Sequence, residues 1–154
     1  MAFGAGEVLW LVSGDAEAWL CGPPTWRAVN GEWRGEVPVC IPGRPDGEVT
    51  FWLMTRGSTP RRNKPTFALV IRGELCRRLD VNTPHRDLAS THIQGHNRSN
   101  DAECAEDASD LFPPIPSTGT VSGEQYSATF AAFAAHLGIS LGSFEWLDEP
   151  DGRP

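Results

Sequence analysis

The sequence has no run of eighteen apolar residues, so it offers no membrane-spanning helix. Its start, MAFGAGEVLWLVSGDAEAWLCG, lacks a basic n-region. Ser13, Gly14 and Asp15 also interrupt the apolar run before it reaches the length of a secretory h-region. A cytoplasmic protein is expected. Cysteine is scarce: Cys21, Cys40, Cys76 and Cys104 are widely spaced, with no C-x-x-C, which fits neither a compact disulfide framework nor a zinc ribbon. Four reduced, mostly buried thiols are the expectation. A P-loop, a G-x-G-x-x-G following a strand and a G-x-S-x-G elbow are all missing, and Ile93-Gln94 stands where H-E-x-x-H needs its glutamate. No cofactor is expected.

What is present describes a folded domain. A chain of 154 residues with 40% hydrophobic residues, six Trp and seven Phe can bury a core as one unit, and neither an internal repeat nor a linker divides residues 1–154. The net charge of −7 opposes binding to a phosphate backbone. The charge is unevenly placed, however. Between Arg56 and Arg98 nine Lys/Arg face three acids, a local balance of +6, while the remainder carries −13. That asymmetry points either to an anionic partner for the middle segment or to a basic face neutralised within the fold.

Periodicity predicts mostly strands. Glu7–Val12 (EVLWLV) reads as a short apolar strand, followed by a single turn around Ala16–Leu20. TWRAV and EWRGEV flank Asn30-Gly31, the pair best suited to a type I′ hairpin; that register puts Trp26, Ala28 and Trp33 on one face and sets Arg27 opposite Arg34 on the other. Pro38, Pro42 and Pro45 place residues 36–44 on an edge or in a loop. EVTFWLMTR and TFALVIR are apolar on both faces and read as central strands, and a type II′ turn at Gly73-Glu74 leads into Leu75–Val81. Residues 86–121 read as one long irregular loop. Ser122 and Gln125 form a capping box for a helix carrying Tyr126, Phe130, Phe133 and Leu137 as a stripe and stopping at Gly138. Ser143–Leu147 reads as a last strand and residues 148–154 as a frayed tail. The expected fold is α+β: an antiparallel meander of about five to seven strands, strongly twisted or partly closed, with one C-terminal helix packed on it.

Chemistry concentrates between Arg72 and Asn97, which hold three of the four histidines. In one reading His85 works with His92 or His96 as a general acid–base pair while Arg77, Arg78 or Arg86 stabilises charge at phosphorus. Metal-independent cleavage of RNA needs those parts, and Arg56, Arg61, Arg62, Lys64, Arg86 and Arg98 would hold the nucleic acid. In a second, weaker reading His92 and His96, with Cys104, Asp101 or His85, hold a metal. In a third, the histidines and Asp80 form a structural polar cluster, and the acidic surface outside residues 56–98 binds a basic protein, with the Trp-rich hairpin supplying anchors.

The segment Phe67–Ile139, with R-R-L-D-V-N-x-P-H-R, then T-H-x-x-x-H, an acidic and Pro-rich stretch and a helix ending in L-G-I, resembles a group of small uncharacterised bacterial and phage-encoded proteins. There an R-x-D strand leads to an H-x-N-P-D-G-like turn and a histidine-bearing strand. The likeness falls on Arg78, Asp80, His85, His92 and His96, with Asp87-Leu88 in place of the N-P-D-G turn and H-x-x-x-H in place of H-x-H. It implies a prokaryotic mobile-element or defence setting; the third reading, a non-enzymatic module acting through its acidic surface, would then be, for instance, an inhibitor of a host defence or nucleic-acid-processing complex.

Overall fold

Asn30 and Gly31 adopt φ of +52° and +77°, and around that type I′ turn strands β2 (Thr25–Val29) and β3 (Glu32–Cys40) pair with Arg27 opposite Arg34 and Ala28 opposite Trp33, as the dipeptide predicts. The computed structural model of the chain describes residues 4–55, 63–83, 90–95, 104–152 and 154. With β1 (Trp19–Leu20), β4 (Val49–Thr55), β5 (Pro65–Ile71), β6 (Glu74–Asp80), β7 (His92–Gly95) and β8 (Cys104–Asp107), the hairpin belongs to one eight-stranded sheet. Its order is β1-β3-β4-β5-β6-β7-β8, with β2 beside β1 along β3, and the named strand pairs are antiparallel. The fold is the expected α+β meander. The sheet is open, ending at β1 and β2 on one side and at β8 on the other.

Helix α2 (Gly123–His136) begins where the capping box places it: Ser122 Oγ accepts from the Gln125 amide at 3.1 Å and Gln125 Oε1 from the Ser122 amide at 3.0 Å. Tyr126, Phe130, Phe133 and Leu137 are all buried. The ring of Phe130 meets Phe51 edge-on at 5.2 Å and that of Tyr126 meets Phe67 at 5.0 Å. Paired residues share a face, so Leu53, Phe67, Leu79 and Ile93 run in one row across β4 to β7, on the face that α2 covers. Met54, Thr66, Asp80 and His92 form the adjacent row on the opposite face.

Several expectations change. Residues Ala5–Val12 form a helix, α1, instead of a strand: Val8 and Leu11, three apart, are buried, whereas Leu9 is 63% exposed. The five-residue apolar run Val8–Val12 does not distinguish the two periods. The following turn spans Gly14–Glu17, ahead of β1. Pro38 lies inside β3, which has neighbours on both sides. Its carbonyl accepts from the Cys21 amide on the β1 side, so the amide it lacks would point into the gap between β1 and β2.

The β5–β6 turn is centred on Arg72-Gly73, with φ of +48° and +81°, one residue earlier than expected. Left-handed backbone at a non-glycine costs roughly 1–2 kcal/mol. The Arg72 guanidinium is held there by Glu7 at 2.7 Å and Glu48 at 2.6 Å, which raise its pKa further. A bulge opposite Leu69/Val70 then turns Cys76 into the core and leaves Leu75 half-buried, the reverse of simple alternation.

The thiols and the tail change too. Cys21 and Cys40 form a disulfide, Cα–Cα 5.9 Å, because the register of β1 on β3 (Leu20 opposite Val39) sets them diagonally across the pair. Sequence spacing carries no trace of that register. Cys76 is a free thiol, pushed up to about 12 by burial. Residues 143–147 form no strand. Instead residues 144–152 lie along the first hairpin: Trp26 Nε1 donates to the Leu147 carbonyl at 2.9 Å, Trp33 Nε1 to the Gly152 carbonyl at 2.8 Å, and the rings of Trp26 and Trp146 are 6.2 Å apart. The residues expected to fray are thereby tied at Gly152. Among the described residues no helix is long and apolar enough to cross a membrane.

Candidate functional site

Two of the strands lie inside the stretch 86–121 that reads as irregular. Strand β7 escapes periodicity because it buries a histidine, a glutamine and a glycine around one isoleucine. These buried polar groups define the site. Pairing of β5, β6 and β7 places Thr66, Asp80 and His92 in one row, and Ala68, Arg78 and Gln94 in the next, all on the face away from α2.

Asp80 is the centre, at 1% exposure. Its Oδ1 accepts from Thr66 Oγ1 at 2.8 Å and its Oδ2 from Arg78 Nε at 3.0 Å. His92, fully buried, has Nε2 at 3.4 Å from Asp80 Oδ2 and 3.2 Å from Gln94 Nε2. Arg78 Nη2 donates to Gln94 Oε1, which turns the Gln94 amide nitrogen toward the ring. An unprotonated Nε2 accepts from Gln94, and a protonated one donates to Asp80. It cannot do both at once. A buried carboxylate is stable only when paired and hydrogen-bonded, and this one receives two direct donors.

The predicted residues separate here. His92 and Arg78 come together. Arg77 does not join them: it belongs to the row of Leu69 and Gly95, its guanidinium lies over Gly95, and Nη1 donates to the Cys76 carbonyl at 2.8 Å. His85, His96, Arg56, Arg61, Arg62, Arg86, Arg98 and Asp101 lie outside the described residues, as does the Cys104 side chain, so the nucleic-acid surface is represented by the exposed Lys64. Among the described residues no three of His, Cys, Asp and Glu cluster as metal ligands. His136, at the end of α2, sits 3.6 Å from Glu106, with its ring edge-on to Phe112 at 5.5 Å.

Thr66, a partner of Asp80, and Gln94, a partner of Arg78 and His92, were not singled out from the sequence. Their signal is weak but physical: polar side chains at positions whose strand neighbours are apolar and buried. Asn82 and Asn63 were not singled out either. Asn82, at φ +53°, donates Nδ2 to the carbonyls of Asn63 and Ile115, both at 2.8 Å, and Asn63 Nδ2 donates to Pro116 at 2.7 Å. With Thr129 Oγ1 donating to Pro113 at 2.7 Å, these bonds pin the Pro-rich segment to one end of the sheet. Beside it is a cleft of about 150 Å³ walled by Asn82, Thr91, Phe112, Pro113, Ile115 and Thr129. No charged side chain lines it among the described residues, which does not suit a phosphate.

Charge is distributed to match. Arg27 and Arg34 bridge Glu36 at 3.3 and 3.4 Å, Arg44 bridges Glu48 at 3.3 Å, and Arg72 and Arg78 are paired as described. The exposed carboxylates among the described residues are Asp15, Glu17, Asp46, Glu106, Asp107, Asp110, Glu124, Glu145, Asp148 and Asp151, against the exposed cations Arg27, Arg44 and Lys64. Compared with protein-family models, with curated proteins and with solved structures, the chain matches none.

Proposed function

We propose that the protein is a non-enzymatic binding module that presents an acidic surface to a basic protein partner. One observation carries this reading: ten exposed carboxylates face three exposed cations among the described residues, and two of those cations are already bridged to glutamates. Such a surface raises the encounter rate with a basic partner and repels a phosphate backbone. The Asp80–His92 pair supports the same reading. A general base must reach the proton it takes, whereas His92 has no exposed surface and Arg78 is engaged by Asp80 and Gln94. The group serves as a buried polar brace.

The test is affinity capture from the native host with and without nuclease digestion, repeated with Glu106→Lys, Asp107→Lys and Asp110→Lys together. Capture of a basic protein that survives nuclease, weakens with salt and is lost in the triple variant is expected. Capture that disappears with nuclease and is indifferent to the three reversals would replace this reading with nucleic-acid binding through the arginines of residues 56–98.

A further inference from the structure

Resting on that reading, we propose that the outer edge of β8 is where the partner docks, as an extended Lys/Arg-bearing segment that adds a strand to the sheet. The Ala108 amide donates to the Thr91 carbonyl at 3.0 Å, so Thr91 and Ala108 are a hydrogen-bonded pair of the antiparallel ladder. Pairing alternates, and the next pair, His92 opposite Asp107, is therefore a non-bonded one. The main-chain N–H and C=O of Asp107, and by the same alternation those of Ala105, point away from β7. β8 ends the sheet, and neither residue's main chain has a partner among the described residues. Unmet donors and acceptors in a row form a template for another strand.

Charge selects the occupant. Glu106 and Asp107 are both exposed, and Asp110 follows in the next turn. A second copy of β8 laid against this edge would bring like charges face to face, which opposes self-pairing. A basic segment meets complementary charge on both faces of the sheet, because Glu106 lies in the row of Ile93, on the side of α2, and Asp107 in the row of His92, on the other. The opposite edge is less suited: β2 carries Arg27, and residues 144–152 already lie along its hairpin.

The test uses the intact protein and three fluorescein-labelled dodecapeptides read by fluorescence polarisation. One alternates Lys with Val and Thr, one has Glu for Lys, and one is the Lys peptide N-methylated at alternate residues so that it keeps its charge and loses its backbone donors along one edge. The Lys peptide is expected to bind at least about tenfold tighter than either of the others, and to slow hydrogen exchange at the Asp107 amide by about tenfold or more. Equal binding of the methylated peptide with unchanged exchange at Asp107 would overturn strand addition and leave the acidic-surface reading standing. Equal binding of the Lys and Glu peptides, or no binding of either, would remove both.

Discussion

The two ends of the sheet are held by different chemistry. At the β1–β3 end a disulfide joins Cys21 to Cys40, and two indoles, Trp26 and Trp33, hold residues 144–152 by their backbone carbonyls. Toward the other end β5, β6 and β7 share a buried polar network centred on Asp80, and the last strand, β8, is left open with carboxylates along it. The first end is closed by a covalent bond, ring packing and indole-to-carbonyl hydrogen bonds, which leave its hairpin already occupied. The second keeps unmet backbone groups, which is what recognition by an added strand requires.

On that contrast the largest single loss of stability lies in the polar half. Arg78→Met leaves the buried Asp80 carboxylate without its cation and should cost about 3–5 kcal/mol in urea unfolding. Adding Asp80→Asn should return part of the loss, since no uncompensated charge remains. A cost below about 1 kcal/mol for Arg78→Met would show the network to be solvated, and the contrast with the apolar end would collapse.

Which of these features could be read from the residues is itself instructive. Elements set by local rules were legible: the Asn30-Gly31 turn, the Ser122/Gln125 capping box with its aromatic stripe, and the central strands β4 and β5. Elements set by what lies across the sheet were not. Cys21 meets Cys40 through a strand register, α1 differs from a strand by which of Val8, Leu9 and Leu11 is covered, and β7 is a strand because His92 and Gln94 find polar partners two strands deep. In the candidate site Asp80, Arg78 and His92 were in view, but Arg77 shared their apparent importance until alternation placed it on the other face. Two adjacent arginines in a strand point to opposite faces of the sheet, and here only Arg78 faces Asp80.

The covalent end gives the next effect. Cys21 and Cys40 are 19 residues apart, and replacing both by serine should cost about 3 kcal/mol if constraint of the unfolded chain is the main contribution. Such a bond persists in oxidising surroundings, contrary to the reduced thiols expected of a cytoplasmic chain. Protein taken from its host under acid quench should therefore show the pair protected from alkylation, and Cys76, at about 12, unreactive until the fold is opened. Trp146→Ala should cost less, about 2 kcal/mol, because the ring is only half-buried between Trp26 and Tyr126. Faster exchange of the Trp26 and Trp33 indole N–H protons in that variant would tie the effect to release of residues 144–152 from the first hairpin.

The smallest effects belong to the open edge, and they separate recognition from stability. Glu106→Lys with Asp107→Lys should change unfolding free energy by less than about 0.5 kcal/mol, since both side chains are exposed. Asp107 also offers a local probe. Its Oδ1 accepts from the Ser109 hydroxyl at 2.6 Å and the Ser109 amide at 2.8 Å, which together hold the carboxyl below its ordinary 3.8. A depressed folded pKa contributes stability that is present above the unfolded value and is lost as pH falls through the folded one, so the window lies below pH 3.8. Ser109→Ala removes the stronger of the two donors, and a carboxyl-carbon NMR titration should then show the Asp107 midpoint rising toward 3.8 with the rest of the molecule unchanged. An unmoved midpoint would mean that the turn closing β8 is not held by Ser109, and that the edge on which the partner is proposed to dock is less ordered than β7 beside it.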